Sequence, residues 1–224
     1  MNKTTFLVIL FLAVSLILVW RGYRRATRFE FIRSYRFPKG LYAGLMRKYP
    51  HLRERDCQLV SRGLRLFFLA YLRGGRRYVS MPSQAVDEVW HEFILNTREY
   101  AKFCKGAFGR FMHHTPAVVM SSDRKSNEGL RRCWWFSCKE ENINPRNALR
   151  LPLLFAIDTK LQIPDGFVYA PNCQGQHKDG GVVHCGGDFS DTSFDGTCDG
   201  FGDSSSDGGS DGGGDGGGCG GGGD

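Results

Sequence analysis

Three of the six histidines in this chain, His91, His113 and His114, fall within 24 residues of sequence, close to Asp87, Glu88, Glu92 and Cys104. Imidazole nitrogens and carboxylate oxygens are what zinc and other divalent first-row metals bind. Three such ligands with a position left open make a hydrolytic or oxygen-activating centre. Without a metal, Asp87 can accept the imidazole N–H of His91 and set its tautomer for binding or acid–base work. The same groups can also form a hydrogen-bonded network whose only role is to close a helix against a turn. The residue types leave these three readings open. Asp87, His91, His113 and His114 are the candidate metal ligands, a divalent metal such as zinc the candidate cofactor, and Glu88 or Glu92 the candidate base.

The segment that must position these groups is VDEVWHEFILNTREYAKFCKGAFGRFMHHTP, residues 86–116. Its pattern predicts one amphipathic helix running to about Lys105, with Ser83 as N-cap and Asp87 and Glu88 favourably placed near its positive end. Gly106 is the expected terminator. At about 100° per residue with Trp90 as origin, Val86, Phe93, Thr97, Tyr100, Ala101 and Cys104 fall within roughly 80° of it. Asp87 lies near 60° and His91 near 100°, so the two are adjacent, one turn apart, on the margin of the apolar stripe. Cys104 is about 140° from His91 and more than three turns away, which predicts a packed thiol and no ligand. His113 and His114 must return to this edge after a turn at Phe108-Gly109. A second set, Cys173, His177, His184 and Cys185, has four zinc-type side chains in irregular spacing among glycines that give no fold.

The string Met81-Pro82-Ser83, Val86-Asp87, Trp90-His91, Ile94-Leu95, Thr97, Tyr100, Phe103-Cys104, Phe108-Gly109, His113-His114 and Pro116 resembles the signature of the glycine-rich domain-containing protein-like family. The resemblance covers about residues 39–116 and extends toward 170. It implies a helical domain in which the Trp-His and His-His positions belong to the shared pattern, and it implies no particular reaction.

The rest of the chain divides by composition into 1–25, an apolar anchor; 26–170, an aromatic-rich basic body; and 171–224, a Gly/Asp/Ser tail. The tail carries Lys178 against ten aspartates, a balance of −9, so the chain's net +7 conceals a charge of +16 on residues 1–170. Phe6 to Trp20, FLVILFLAVSLILVW, is a 15-residue apolar run. A run of that length covers roughly 25 Å as a helix, slightly less than a hydrocarbon core. No small-x-small cleavage site follows it, so a retained anchor is expected over a cleaved signal peptide. Trp20 suits the interfacial belt, and Arg21 and Arg24 can snorkel. These arginines, with Arg25 and Arg28, place the body on the cytoplasmic side by the positive-inside rule and draw it toward anionic lipid.

On that side of a membrane the eight cysteines are expected to be reduced. Leu41, Leu45 and Tyr49, and then Cys57, Val60, Leu64, Phe67, Phe68 and Tyr71, recur at helical steps. Further helical segments are expected at about 124–142 and, interrupted by Pro152, at 147–160. The fold class is therefore all-α, a bundle of about four to six helices behind a transmembrane helix. In the tail, Asp191 to Asp215 recur every fourth residue, a composition too polar to fold and expected to be disordered. The functional expectation is a single-pass membrane protein whose cytoplasmic body is an interaction or scaffolding module with a protein partner. The alternative is a metal-dependent enzyme, a hydrolase for instance, using the Asp/His cluster. The arginines of the body are scattered and match no nucleic-acid motif, so nucleic acid is not an expected partner.

Overall fold

A computed structural model of the chain describes residues 2–114, 124–171 and 183–185, with side chains throughout except at 39, 124–127 and 183–185. Cys173, His177, the side chains of His184 and Cys185, Pro116 and the aspartate-periodic tail lie outside the described residues.

The first helix, α1 (Lys3–Ser34), has an apolar run without proline, and among the described residues that run is exposed: Phe6 is 52% exposed, Leu16 72% and Trp20 55%. It is long and apolar enough to cross a membrane. The composition boundary at residue 25 is no break in structure, because α1 continues through it into the body. Ile32 is fully buried, and the Phe31 ring packs on Tyr35 and Phe103 with centroids 5.5 and 5.9 Å away.

After a single 3-10 turn at Lys39–Leu41 come α2 (Tyr42–Lys48) and the central helix α3 (Glu54–Arg73). The predicted stripe of α3 is buried from Cys57 to Tyr71, and Leu66, Leu69 and Leu72 off that stripe are buried as well. The reason is that α3 is covered by α1, α4, α6 and α7 together. Gly63 permits a close approach of α4 and α7. A Cβ there would lie 2.9 Å from Val86 Cγ2 and 3.2 Å from Ile157 Cδ1. Arg65, half-buried, donates from Nε and Nη2 to the Tyr35 carbonyl at 3.3 and 2.9 Å, covering the carbonyl where α1 has just ended.

The predicted single helix over 86–105 is two helices, α4 (Gln84–Leu95) and α5 (Thr97–Ala107), separated at Asn96 (φ −79°, ψ 64°). Asparagine competes with the helix for backbone hydrogen bonds, so it is a natural place for the break. The bend resets the phase of everything after it. Phe103, which the straight wheel put outside the stripe, is fully buried, whereas Thr97 and Ala101 are exposed. Helix α5 is closed by Gly109, left-handed at φ 72°, and not by Gly106. Gly106 instead receives the Phe31 ring of α1, which would lie 2.8 Å from a Cβ at that position.

Helices α6 (Arg124–Glu140) and α7 (Leu153–Lys160) complete the set, Pro152 standing at the start of α7 where its missing N–H costs nothing. Among the described residues six helices follow α1, and the body is all-α as expected. One short parallel strand pair accompanies them, β1 (Val168–Ala170) with β2 (Val183–Cys185), in register Val168 to Val183. Strand β2 falls within the segment assigned to the tail, at its one pair of adjacent branched residues, Val182-Val183. Such residues suit a pleated strand.

Candidate metal centre

Helix α4 is held at its start by a buried carboxylate from α7. Ser83 caps the helix, its Oγ accepting the Val86 N–H at 3.2 Å and donating to Asp158 Oδ1 at 2.6 Å. Asp158 is 2% exposed and also accepts the N–H groups of Gln84 (2.8 Å), Ala85 (3.2 Å) and Phe167 (3.0 Å). The orphan amides of the first turn thus face a negative charge, which also suits the helix dipole. Asp87 and His91 project from the turns that follow.

The other half of the centre is set by Tyr100 on α5. The Trp90 indole N–H donates to Tyr100 Oη at 3.2 Å, and the Tyr100 hydroxyl donates to the Met112 carbonyl at 2.6 Å. Burial drives the Tyr100 phenol well above its ordinary pKa, so it stays a donor. The bond pins residues 111–114 where they return from the Gly109 turn.

Three of the four predicted ligands meet. His114 Nε2 is 2.9 Å from Asp87 Oδ1, His91 Nδ1 is 3.8 Å from Asp87 Oδ2, and the two imidazole centroids are 4.2 Å apart. One ligand atom from each of Asp87, His91 and His114 can be chosen so that all lie within 4.8 Å of one another. His114 rests against the Trp90 ring at 4.6 Å and its side chain is 11% exposed, against 47% for His91, so the cluster has a packed floor and an open side. His113 is not among them. In an extended segment neighbouring side chains point to opposite sides, and His113 stacks on Phe111 (4.9 Å) beside a separate cavity.

The candidate bases are also elsewhere. Glu88 pairs with Lys48 of α2 at 3.2 Å, and the Glu92 carboxylate lies against Gly44, where a Cβ would be 2.7 Å from its Oε1. Both are engaged with α2. Cys104 is buried as the wheel predicts, its thiol pushed up by that burial, and it is packed. Cys57, Cys133 and Cys138 are likewise buried free thiols.

Asp158 and Tyr100 are the positioning residues that pattern reasoning missed. Asp158 had a signal, a lone acid inside the apolar stretch LPLLFAIDTK. Tyr100 appeared only as a core ring, because its hydroxyl partners are set by the fold. A cation seated among one carboxylate and two imidazoles would keep coordination positions free on the His91 side, and could polarise a water or hold a polar ligand there.

No curated protein and no solved structure matches the chain. Residues 27–189 match the model of the UCP032817-like family, an uncharacterised family, over an interval that begins where the exposed part of α1 ends and contains the whole candidate centre. The chain belongs to the UCP032817-like family.

Proposed function

We propose that this is a single-pass membrane protein whose cytoplasmic helical domain is a binding module built around a divalent cation held by Asp87, His91 and His114. The observation that carries the reading is the convergence of these three side chains, brought from two segments 23 residues apart onto one half-open edge of α4. Zinc suits the donor set, two imidazoles and a carboxylate with room for a fourth ligand. The anchor is α1, whose apolar side chains face away from the body, and the arginines after Trp20 orient it with the body inside. The module reading is preferred to a hydrolase because Glu88 and Glu92, the acidic residues nearest in sequence, are engaged with α2. Kinship with the glycine-rich domain-containing protein-like family, resting on the Trp90-His91 and His113-His114 positions, belongs to the same proposal.

The test is the metal content of the full chain, purified in detergent and dialysed against zinc and then metal-free buffer. One equivalent is expected in the parent and in His113→Ala, and less than a tenth in Asp87→Asn and His114→Ala. Tyr100→Phe, which frees the Met112 carbonyl, is expected to weaken retention about tenfold, as loss of a positioning bond does. Equal retention by parent and Asp87→Asn would refute the centre. The 2.9 Å Asp87–His114 bond favours a second reading, a metal-free network that locks residues 111–114 on α4. It predicts no metal in the parent and a lowered melting temperature in Asp87→Asn.

A further inference from the structure

Trp90, against which His114 rests, also lines an open cavity of about 520 Å3, within the size range of small-molecule sites. Its wall combines the rings of Tyr71, Trp90 and Phe111 with two guanidinium groups, Arg76 and Arg110, and among the described residues no carboxylate lines it. The arginines are built in. Arg76 sits left-handed at φ 63°, uncommon for a non-glycine residue, directly after Gly75 at φ 72°. Its Nη1 donates to the Phe108 carbonyl at 3.0 Å. Arg110 donates to Tyr71 Oη at 3.0 and 3.3 Å and to the Arg76 carbonyl. Every one of these acceptors is neutral.

A third guanidinium joins them. Arg28 of α1 reaches over Gly109, its Nη2 lying where a Cβ of that residue would go. Among the described residues no carboxylate forms an ion pair with Arg28, Arg76 or Arg110. The Arg28 guanidinium holds its proton less tightly than usual, first through burial and then through the charges of Arg76 and Arg24. Three like charges this close repel one another, and an anion bound among them relieves that repulsion. Guanidinium forks match phosphate oxygens in geometry as well as charge, and the adjoining rings supply a surface for an apolar or aromatic body.

We propose that this cavity binds a phosphate ester, the phosphate on Arg76 and Arg110 with Arg28 beside them and the organic part against Trp90 and Phe111. The site uses none of Asp87, His91 and His114 and needs no metal. The phosphate ester has two sources, a membrane phospholipid or a soluble metabolite. Arg28 stands eight residues beyond Trp20, about 12 Å along a helix, at headgroup depth for a bilayer spanned by α1.

The experiment uses the full chain in nanodiscs, in EDTA throughout, so that failure of the metal centre does not touch it. The probes are phenyl phosphate and inorganic phosphate, with binding measured by calorimetry in phosphatidylcholine discs and in discs containing phosphatidic acid. In phosphatidylcholine discs phenyl phosphate is expected to bind and to weaken about tenfold in each of Arg76→Gln and Arg110→Gln, the effect of losing one charge-assisted contact. Phe111→Ala, which leaves the guanidinium bonds intact, is expected to weaken phenyl phosphate and leave inorganic phosphate unchanged. It keeps the test open should an arginine variant not fold. Loss of phenyl phosphate binding in the phosphatidic acid discs identifies a lipid as the natural occupant, and equal binding in both identifies a soluble one. No binding by the parent in phosphatidylcholine discs overturns the proposal, as does binding unaltered in a folded Arg76→Gln or Arg110→Gln variant or in Phe111→Ala.

Discussion

Replacing Asp158 by asparagine keeps the shape of the side chain and removes the feature that holds α4. Two donors approach each carboxylate oxygen, Ser83 Oγ and the Ala85 N–H on Oδ1, and the Gln84 and Phe167 N–H groups on Oδ2. An asparagine amide has one acceptor oxygen, so one pair of donors must face its NH2 group. The cheaper orientation puts the NH2 at the Oδ1 position, because the Ser83 hydroxyl can turn and accept. The Ala85 N–H is then left buried without a partner, at a cost of about 1–3 kcal/mol, and the Gln84 and Phe167 bonds lose their charge assistance. The sum is about 3 kcal/mol, or roughly 6–12 °C in melting temperature for a body of this size. The assay is thermal unfolding of the full chain in detergent followed by tryptophan fluorescence, which reports on the buried Trp90 and Trp134 of the body. Ser83→Ala serves in a double-mutant cycle with Asp158→Asn, where a coupling of at least about 1 kcal/mol is expected for groups in one network. An Asp158→Asn variant melting within about 2 °C of the parent, with no coupling to Ser83, would refute the argument that this carboxylate sets the start of α4.

Gly63→Ala tests the approach of α4 and α7 to α3. The gain of about 1 kcal/mol from helix propensity is set against overpacking of about 1–3 kcal/mol, since a Cβ would meet Val86 at 2.9 Å. Net destabilisation is expected, and a raised melting point would show the interface to be looser than described. Burial pushes the Cys133 and Cys138 thiols up to about 12. The unfolded chain ionises near the ordinary thiol value of about 8.5, so their contribution to stability is complete below that pH and is lost as pH rises from there toward 12. Iodoacetamide at pH 8 is therefore expected to spare both in the native protein and label both in denaturant, as read by peptide mass spectrometry. Native labelling at the denatured rate would contradict the burial.

How much of this was legible in the sequence depended on how far each inference reached along the chain. The stripe of α3, the Ser83 cap and the packed Cys104 were readable because each follows from neighbours three or four residues away. The wheel over 86–105 failed after Asn96 because it assumes one straight axis, and a bend costs little at a residue that hydrogen-bonds its own backbone. That failure hid Phe103 but spared Asp87 and His91, which precede the bend. The choice between His113 and His114 was out of reach for a different reason. Both share residue type and neighbourhood, and only the Tyr100–Met112 bond, formed across the α5 turn, decides which imidazole faces α4.

The seat of α1 on the body bears on every function discussed for this chain. Membrane anchors commonly join their domains through flexible linkers, and the composition placed a boundary at residue 25. Instead α1 has no glycine or proline between Arg24 and Ser34, and its end is bonded to the body on three sides. Phe31 fills the space over Gly106, Arg28 covers Gly109, and Arg33 pairs with Glu140 at 3.0 Å, a carboxylate that Arg73 also engages. The end of α1 is therefore fixed to the body as one continuous helix, with no flexible joint between Arg24 and Ser34. The turn that α1 covers at Gly106–Gly109 is the same turn that delivers residues 111–114. A change in how α1 sits would thus be felt first at Phe108, whose carbonyl holds Arg76, and at Arg110 in the cavity wall, and then at His114. Inserting a Gly-Ser-Gly spacer after Thr27 separates these roles. It leaves both the span and the body intact, and its effect on metal retention measures how far the centre depends on the anchor's seat.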